Sequence, residues 1–233
     1  MNIFPRHWGG ILYGVEGLRY KLATLAIIVA CGLASTAKSE TVVIAALGDS
    51  ITNGYGLAPE DGLIGQLQTW MDEQGHDVRL INAGVSGDTT AGGRARIEWT
   101  LTPEVDAVIV ELGGNDMMRG IAPSDSRKNL DETLAIIQSR DLPTLLVGLP
   151  AASNFGADYK AEFDGMYPSL AEQYQALLYP DLFASVRDTI TDPTALKTYM
   201  QDDAIHPNAK GVAEIVKDIA PLVVELADRA RVD

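Results

Sequence analysis

Two short stretches carry side chains that together suit nucleophilic catalysis. An apolar run from Thr41 to Leu47 stops at Gly48-Asp49-Ser50, which predicts a buried strand ending in a tight turn with a hydroxyl at its tip. Much later, Asp203 and His206 lie three residues apart, just ahead of a helical pattern. A serine hydroxyl becomes a good nucleophile only when a base takes its proton, and imidazole titrates near neutral pH. The residue types therefore predict Ser50 as nucleophile, His206 as base and Asp203 as the carboxylate that orients His206.

Two glycine-rich segments supply candidate donors for a developing oxyanion. Both Gly84–Gly87 and Gly113–Asp116 follow apolar runs that predict strands. Glycine lets backbone N–H groups approach a ligand closely, and open parallel sheets bind ligands beyond the carboxyl ends of their strands. We expect the oxyanion donors to be the backbone N–H groups of Ser50 and Gly87 and the side-chain amide of Asn115.

Each motif by itself also has an ordinary structural explanation. A serine in a turn commonly caps the following helix, and Gly-Gly-Asn-Asp is commonly a loop. Asp203 could be a helix cap, with His206 on the surface. The chain has two other histidines, of which His7 lies in the N-terminal segment and His76 in a polar turn at the opposite end of the predicted sheet. The joint occurrence of all the residue types favours catalysis, with His206 as its base.

The elements that must position these residues alternate between strand and helix patterns. This alternation predicts a flavodoxin-like three-layer α/β/α sandwich with a five-stranded parallel sheet. The predicted strands are Val42–Leu47, Val78–Asn82, Ala107–Leu112, Pro143–Leu149 and Leu182–Val186. The predicted helices are Leu63–Gln74, Thr89–Thr100, Pro123–Arg140, Tyr159–Leu178 with an interruption near Pro168, and Pro207–Ala230 with a bend or break at Pro221. Residues 189–204 are expected to be irregular.

Charge limits the range of partners. The chain of 233 residues has a formal charge of −14, and residues 38–233 alone carry −16. A protein this acidic repels phosphate backbones and anionic lipid surfaces, so we expect no nucleic-acid partner. The apolar share of 46% suits one domain over residues 38–233. No feature indicates an obligate oligomer, and we expect a monomer.

Residues 1–37 have the pattern of a signal peptide that is removed on export. Basic residues end at Lys21, an apolar run covers Leu22–Leu33, and Ser35-Thr36-Ala37 offers small residues for cleavage. The run is shorter than the ~20 residues that a membrane-spanning helix needs. We expect export to the periplasm or secretion. An uncleaved anchor, a misassigned start and lipidation at Cys31 remain alternatives. Cleavage after Ala37 would leave the mature chain without cysteine.

The four motifs together resemble those of the SGNH (GDSL-type) hydrolase family. Gly48-Asp49-Ser50, Gly87, Gly113-Gly114-Asn115-Asp116 and Asp203-x-x-His206 match its four blocks in order. The chain is most similar to the periplasmic multifunctional thioesterase/lysophospholipase/arylesterase branch. The stretches that carry this closer resemblance are 83–90, 110–116, 166–171 and 201–208. The resemblance implies a serine esterase acting on a small-molecule ester or lipid, with Ser50, Asp203 and His206 as triad and no metal or organic cofactor.

Two departures from the family pattern concern the loops around the predicted site. Ala204 stands where the branch has glycine, which is expected to perturb the turn without removing a catalytic group. Residues 151–156 are a variant of a loop that contacts substrate in the family. The predicted substrate-binding residues are Asn154, Phe155, Gly156 and Met117, and apolar Leu57, Met118 and Tyr159 could also line an acyl or aryl pocket.

Other functions remain open at this point. A carbohydrate O-acetylesterase would use the same residues on acetyl-sugars. A flavin- or nucleotide-binding module would use the same sheet edge, but the chain has no G-x-x-x-x-G-K-[ST] loop. A catalytically inactive binding protein would not need intact Ser50, Asp203 and His206. An α/β-hydrolase is disfavoured because no G-x-S-x-G motif surrounds Ser50.

Overall fold

The computed structural model describes Met1, residues 41–190, Asp192 and residues 195–232. The chain divides into residues 1–39 and residues 40–233, and the fold below is that of the second unit. The predicted signal peptide and Cys31 lie outside the described residues. Among the helices of the described residues, none combines the length and the apolar character needed to cross a membrane.

Five parallel strands form one sheet in the order β2-β1-β3-β4-β5, with helices on both faces. This order confirms the predicted flavodoxin-like α/β/α fold. The strands are β1 (Val42–Gly48), β2 (Val78–Gly84), β3 (Ala107–Glu111), β4 (Thr144–Val147) and β5 (Leu177–Tyr179).

The helices fall into two layers, one on each face of the sheet. Helices α2 and α9 pack against each other in one layer, and α3, α5 and α6 pack in sequence in the other. The α-helices are α1 (Ser50–Asn53), α2 (Leu63–Glu73), α3 (Thr90–Thr100), α4 (Gly114–Met118), α5 (Pro123–Gln138), α6 (Ala157–Tyr174), α7 (Ala184–Thr189), α8 (Leu196–Tyr199) and α9 (Ala209–Val232). Short 3₁₀ turns cover Pro59–Asp61 and Ser153–Phe155.

The central strands β1 and β3 are buried at every position. Apart from Glu111 at the end of β3, their side chains are apolar, which suits strands that are covered by helices on both faces. The parallel register places Gly48 opposite Gly84 of β2 and opposite Glu111 of β3. The three strands therefore end at the same level, and the segments that follow them start side by side.

Helix α9 illustrates how apolar spacing produces a buried helix face. Its residues Val212, Ile215, Ile219, Val223 and Leu226 are all buried at intervals of three or four. This spacing places one apolar stripe on the sheet. The stripe spans Pro221, and the helix continues through this proline rather than breaking there.

The predicted fifth strand, Leu182–Val186, is wrong in position. The fifth strand is Leu177–Tyr179, and residues 184–189 form α7. Helix α6 ends at Tyr174 because Gln175 adopts the left-handed conformation (φ 53°), so the chain turns into the sheet earlier than the pattern indicated. Leu182 and Val186 are buried four residues apart, which is the spacing of a helical turn.

The observed helices also differ from the predicted ones at two prolines. Helix α6 runs without interruption through Pro168, because buried side chains on both sides, among them Phe163 and Leu170, hold the helix against the core. Helix α9 begins at Ala209 rather than Pro207, because the side-chain oxygen of Asn208 accepts hydrogen bonds from the N–H groups of residues 210 and 211.

Tyr167→Phe is expected to lower the free energy of unfolding by about 1–3 kcal/mol. The fully buried Tyr167 hydroxyl donates to the carbonyl oxygen of Leu112 at 3.0 Å, and phenylalanine would leave that oxygen without its partner. Urea unfolding with an unchanged m-value measures the change. Tyr174→Phe is the control, since its hydroxyl bonds Asp131 in a partly exposed position and its loss should cost less. Equal losses in the two variants would contradict this explanation.

Candidate active site

The turn after β1 presents Ser50 at the carboxyl edge of the sheet. Ser50 is the first residue of α1, and the Asp49 carboxylate caps that helix by accepting from the Ile51 N–H at 3.0 Å. A Cβ atom at Gly48 would lie 2.0 Å from Thr52 Oγ1, so only glycine fits where the strand meets the helix. The turn is therefore closed too tightly to admit a side chain at Gly48.

The structure brings Ser50, His206 and Asp203 into one hydrogen-bonded chain. Ser50 Oγ lies 2.8 Å from His206 Nε2, although 156 residues separate them in sequence. On the other side of the ring, His206 Nδ1 lies 2.7 Å from Asp203 Oδ2. Because an ionised carboxylate only accepts hydrogen bonds, Nδ1 carries a proton and donates a hydrogen bond to Asp203. In the neutral ring, Nε2 is then free to accept the proton of the serine hydroxyl.

Local backbone hydrogen bonds fix the Asp203 carboxylate beneath the ring. Its Oδ1 accepts from the backbone N–H groups of Ile205 (2.9 Å) and His206 (3.0 Å). The pKa of the Asp203 carboxyl is lowered to about 2 by these hydrogen bonds. The largest contribution comes from the His206 backbone N–H, the next from the His206 ring, and a smaller one from the Ile205 N–H. Asp203 therefore stays ionised at any pH near neutrality.

The other predicted oxyanion donors lie at the same edge of the sheet. Among the described residues, the Gly87 N–H has no hydrogen-bond acceptor, and Gly87 itself has φ 83°, in the region that favours glycine. Buried Asn115, in α4, donates from Nδ2 to Asp49 Oδ2 at 3.1 Å. The Asn115 donor is thus tied to the residue that precedes Ser50. The loop of Gly87 follows Val85, whose N–H donates to Gly48 O at 3.0 Å.

The four predicted substrate-binding residues form a neighbouring group. Met117 Sδ accepts from the N–H of Ala152, which ties α4 to the loop that contains Asn154. Phe155 stacks on Tyr159 with 5.2 Å between ring centroids, and Gly156 turns the chain into α6 with φ 91°. Within the described part of the chain, none of the four is hydrogen-bonded to Ser50 or His206.

Arg96 is a positioning residue that the sequence reasoning missed. Its guanidinium donates to Gly48 O (2.8 Å), Ala83 O (2.6 Å) and the Asp88 carboxylate (2.6 Å). It therefore ties the ends of β1 and β2 to the loop of Gly87. The apolar pattern of Thr89–Thr100 contained no signal for this role, because the three acceptors come from other parts of the chain.

Two further neighbours of the site were also missed. The Tyr55 ring lies 4.7 Å from the His206 ring, tilted by 40°. Glu111 ends an otherwise apolar buried strand, and its carboxyl accepts hydrogen bonds from the Asp49 N–H and the Thr52 hydroxyl on either side of Ser50. The carboxyl of Glu111 within an apolar run could have indicated its role, whereas nothing in the sequence distinguished Tyr55.

Among the described residues, no group of three or more His, Cys, Asp or Glu side chains is placed to hold a metal ion.

Comparison with known proteins places this geometry in a family. The model of the GDSL-like lipase/acylhydrolase family matches residues 46–213, a stretch that includes every residue of the hydrogen-bonded chain. The protein belongs to this family. The resemblance to SGNH (GDSL-type) hydrolases is thereby confirmed.

Individual relatives agree with the family match. An arylesterase of Vibrio mimicus is 32% identical over 206 residues, covering 88% of this chain and 98% of the relative. Thioesterase 1/protease 1/lysophospholipase L1 of Escherichia coli K12 is 32% identical over 193 residues, covering 80% and 86%. The crystal structure of AlinE4, an SGNH-hydrolase family esterase, superposes with a TM-score of 0.63 at 43% identity, covering 80% of this chain and 96% of that one.

The turn between Asp203 and His206 contains a residue in a costly conformation. Ala204 has φ 55°, where an L-residue with a Cβ pays a steric cost that glycine avoids. Glycine, which the family resemblance predicts here, would adopt this conformation without that cost. The methyl group leaves Asp203 and His206 in hydrogen-bonding contact, at 2.7 Å.

Ala204→Gly is expected to leave stability unchanged or to raise the free energy of unfolding by up to about 1 kcal/mol, since relief of strain outweighs the added chain entropy. Ala161→Gly is the matched control. It lies in an exposed position inside α6, where glycine should cost about 1 kcal/mol. Chemical denaturation of the two variants measures the difference. An equal loss at both positions would show that Ala204 is not strained.

Proposed function

We propose that the protein is a serine esterase that hydrolyses carboxylic esters through an acyl-serine intermediate. The observation that carries the proposal is the continuous hydrogen-bonded chain from Ser50 Oγ through His206 to the Asp203 carboxylate. Each member has the chemical type and the partner that its role requires. The family match and the names of the relatives, arylesterase and thioesterase/lysophospholipase, support the same reaction class.

In the first half of the proposed reaction, the three residues of the hydrogen-bonded chain acylate Ser50. His206 Nε2 takes the hydroxyl proton as Ser50 Oγ attacks the ester carbonyl carbon and forms the tetrahedral intermediate. The imidazolium is stabilised by the ionised Asp203 carboxylate at Nδ1. The imidazolium then gives its proton from Nε2 to the leaving alcohol or phenol, which departs with the bonding electrons. The acyl group remains as an ester of Ser50.

Water completes the reaction at the same residues. His206 takes a proton from a water molecule, the resulting hydroxide attacks the acyl carbonyl, and Ser50 leaves as its alkoxide. His206 returns the proton to Ser50 Oγ, which releases a carboxylic acid and restores the starting state. The sum is one ester plus one water giving one acid and one alcohol.

The oxyanion of both intermediates would be held by Ser50 N–H, Gly87 N–H and Asn115 Nδ2. The Gly87 N–H is free of other acceptors among the described residues, and the Asn115 nitrogen has one hydrogen left after bonding Asp49. Removal of one such donor typically costs ~3–4 kcal/mol of transition-state stabilisation. These donors are therefore expected to supply much of the rate.

The surface around the site favours a substrate with an apolar acyl or aryl group. Large apolar side chains are exposed on the segments that carry the site, namely Tyr55, Val85 and Met118 after β1, β2 and β3, and Ile205 in the turn of His206. The proposed substrate-binding residues Met117, Asn154, Phe155 and Gly156 lie on the adjoining segments. We infer that the substrates include aryl and acyl esters, with acyl thioesters and lysophospholipids as members of the same class.

Ser50→Ala is expected to lower kcat for p-nitrophenyl esters by at least ~1000-fold, because no other hydroxyl is bonded to His206 among the described residues. Initial rates on residues 38–233 with acyl chains of graded length measure the loss and the chain-length preference. Ser139→Ala is the control, since this serine hydroxyl bonds the Ile136 carbonyl in the C-terminal turn of α5.

Two results would contradict the esterase proposal. One is a folded parent protein that hydrolyses none of the esters in the series. The other is a Ser50→Ala variant that matches the parent. Activity confined to acetyl esters of sugars would instead indicate a carbohydrate O-acetylesterase that uses the same triad.

We also propose that residues 1–37 direct export and are removed, leaving a single domain over residues 38–233. The support is the order of basic residues, apolar run and small residues in the sequence. The expected destination is the periplasm. The chain that remains after cleavage would act without a lipid anchor.

Ala37→Leu is expected to block removal of this segment, because the residue before a signal-peptidase site must be small. Expression of the full chain in a Gram-negative host, followed by N-terminal sequencing, should give Lys38 as the first residue of the parent protein. Cys31→Ser is the control and should be processed normally. A mature chain that starts at a lipid-modified Cys31, or one that retains residue 1, would contradict the proposal.

A further inference from the structure

A carboxyl group that has no cationic partner among the described residues lies against the turn that carries the proposed nucleophile. Glu111 ends β3 and is 1% exposed. Its Oε2 atom accepts from Thr52 Oγ1 at 2.8 Å and from the Asp49 N–H at 3.4 Å. Its Oε1 atom is buried and accepts no hydrogen bond from any described group. An ionised carboxylate without a cation is costly in such a place, so this group needs an explanation.

The neighbouring carboxyl of Asp49 supplies that explanation. Glu111 Oε2 reaches the Asp49 backbone N–H, and the two buried carboxyl groups are near enough for each to change the pKa of the other. Two ionised carboxylates in one buried site repel each other and lack the solvation they need, which favours a proton on one of them. Asp49 already accepts from the Ile51 N–H and from Asn115 Nδ2, and both of these bonds favour its ionised form. The proton therefore belongs on Glu111.

We propose that Glu111 is a positioning residue that acts as a neutral carboxylic acid: it donates a hydrogen bond to the Asp49 carboxylate, which in turn holds the Asn115 amide in place as an oxyanion donor. In this arrangement the Glu111 acid would complete the set of donors around the Asp49 carboxylate, which already accepts from Asn115 Nδ2 at 3.1 Å. The inference rests on the proposed esterase function for its catalytic consequence.

Electrostatics of the buried pair support this arrangement. Burial raises the pKa of the Glu111 carboxyl well above its usual range, and the charge of Asp49 raises it further. Burial also raises the pKa of Asp49, but its hydrogen bonds from Ile51 N–H, Glu111 and Asn115 oppose that rise. Glu111 is consequently the member of the pair that keeps the proton at neutral pH.

The position of Glu111 connects it to the nucleophile as well. Thr52 lies in α1, two residues after Ser50, and a Cβ at Gly48 would lie 2.9 Å from Glu111 Oε2. Glu111 therefore contacts the turn from the strand side, while Asp49 contacts α4 from the turn. A change in the charge of Glu111 would alter the spacing between Ser50 and Asn115.

Glu111→Gln and Glu111→Met separate the neutral donor from simple filling of space. The glutamine amide can donate to Asp49 and its oxygen can accept from Thr52, whereas methionine fills a similar volume without either bond. Glu111→Met is expected to lower kcat for p-nitrophenyl esters by about 10- to 100-fold with little change in KM, because the Asn115 donor is displaced and not removed. Glu111→Gln is expected to recover kcat to within about threefold of the parent.

Two readouts do not depend on activity. The infrared band of a protonated carboxylic acid should be present in the parent at neutral pH and absent in Glu111→Gln. The side-chain amide resonances of Asn115 in NMR spectra should shift in Glu111→Met and return towards the parent values in Glu111→Gln. Urea unfolding establishes that each variant is folded under the assay conditions.

The outcomes distinguish this inference from the esterase proposal. Equal kcat losses in the glutamine and methionine variants, a methionine variant with parental kcat, or an infrared band unchanged by Glu111→Gln would each overturn the role of Glu111. Failure of the esterase proposal appears as an inactive parent or an active Ser50→Ala variant. In that case the infrared and NMR readouts still decide whether Glu111 is neutral and whether it positions Asn115.

Discussion

The placement of β1 between two parallel partners is the constraint on which the rest of the site depends. Because Gly48 is level with Gly84 and Glu111, three chain segments leave the sheet at the same height. The nucleophile, the Gly87 loop and the Asn115 helix are then neighbours without any further adjustment. A shift of register by one residue would turn every side chain of β1 to the opposite face and separate these groups.

The proposed triad combines two locally hydrogen-bonded turns with one contact between distant parts of the chain. The Asp203–His206 turn is organised by its own backbone, since Asp203 accepts two N–H bonds from residues within three positions. The turn at Ser50 is likewise closed locally by Asp49. Within the proposed triad, the contact between Ser50 and His206 joins distant parts of the chain, and α9, which begins at Ala209, anchors the second turn to the core.

Buried and half-buried polar groups around the site form a connected set. Arg96 binds the carbonyl ends of β1 and β2, Glu111 bonds Asp49 and Thr52, and Asp49 bonds Asn115. Interior hydrogen bonds of this kind hold catalytic groups in fixed geometry, and each costs free energy if a partner is lost. The site is thus rigid at its base, while the apolar side chains at its rim are exposed.

The sequence by itself determined the fold class, the family and the residue types of the proposed triad. Continuous apolar strands and motifs at their ends are local patterns, and local patterns survive without knowledge of packing. Tertiary structure alone decided the place of the fifth strand, because Leu182 and Val186 suit a strand or a helical turn equally well until the end of α6 at Tyr174 is fixed. It also decided the partners of Arg96 and Glu111, since those partners lie on separate strands and loops. Charge, burial and hydrogen bonding of such groups depend on which distant segments meet, and that information appears only when the sheet is assembled.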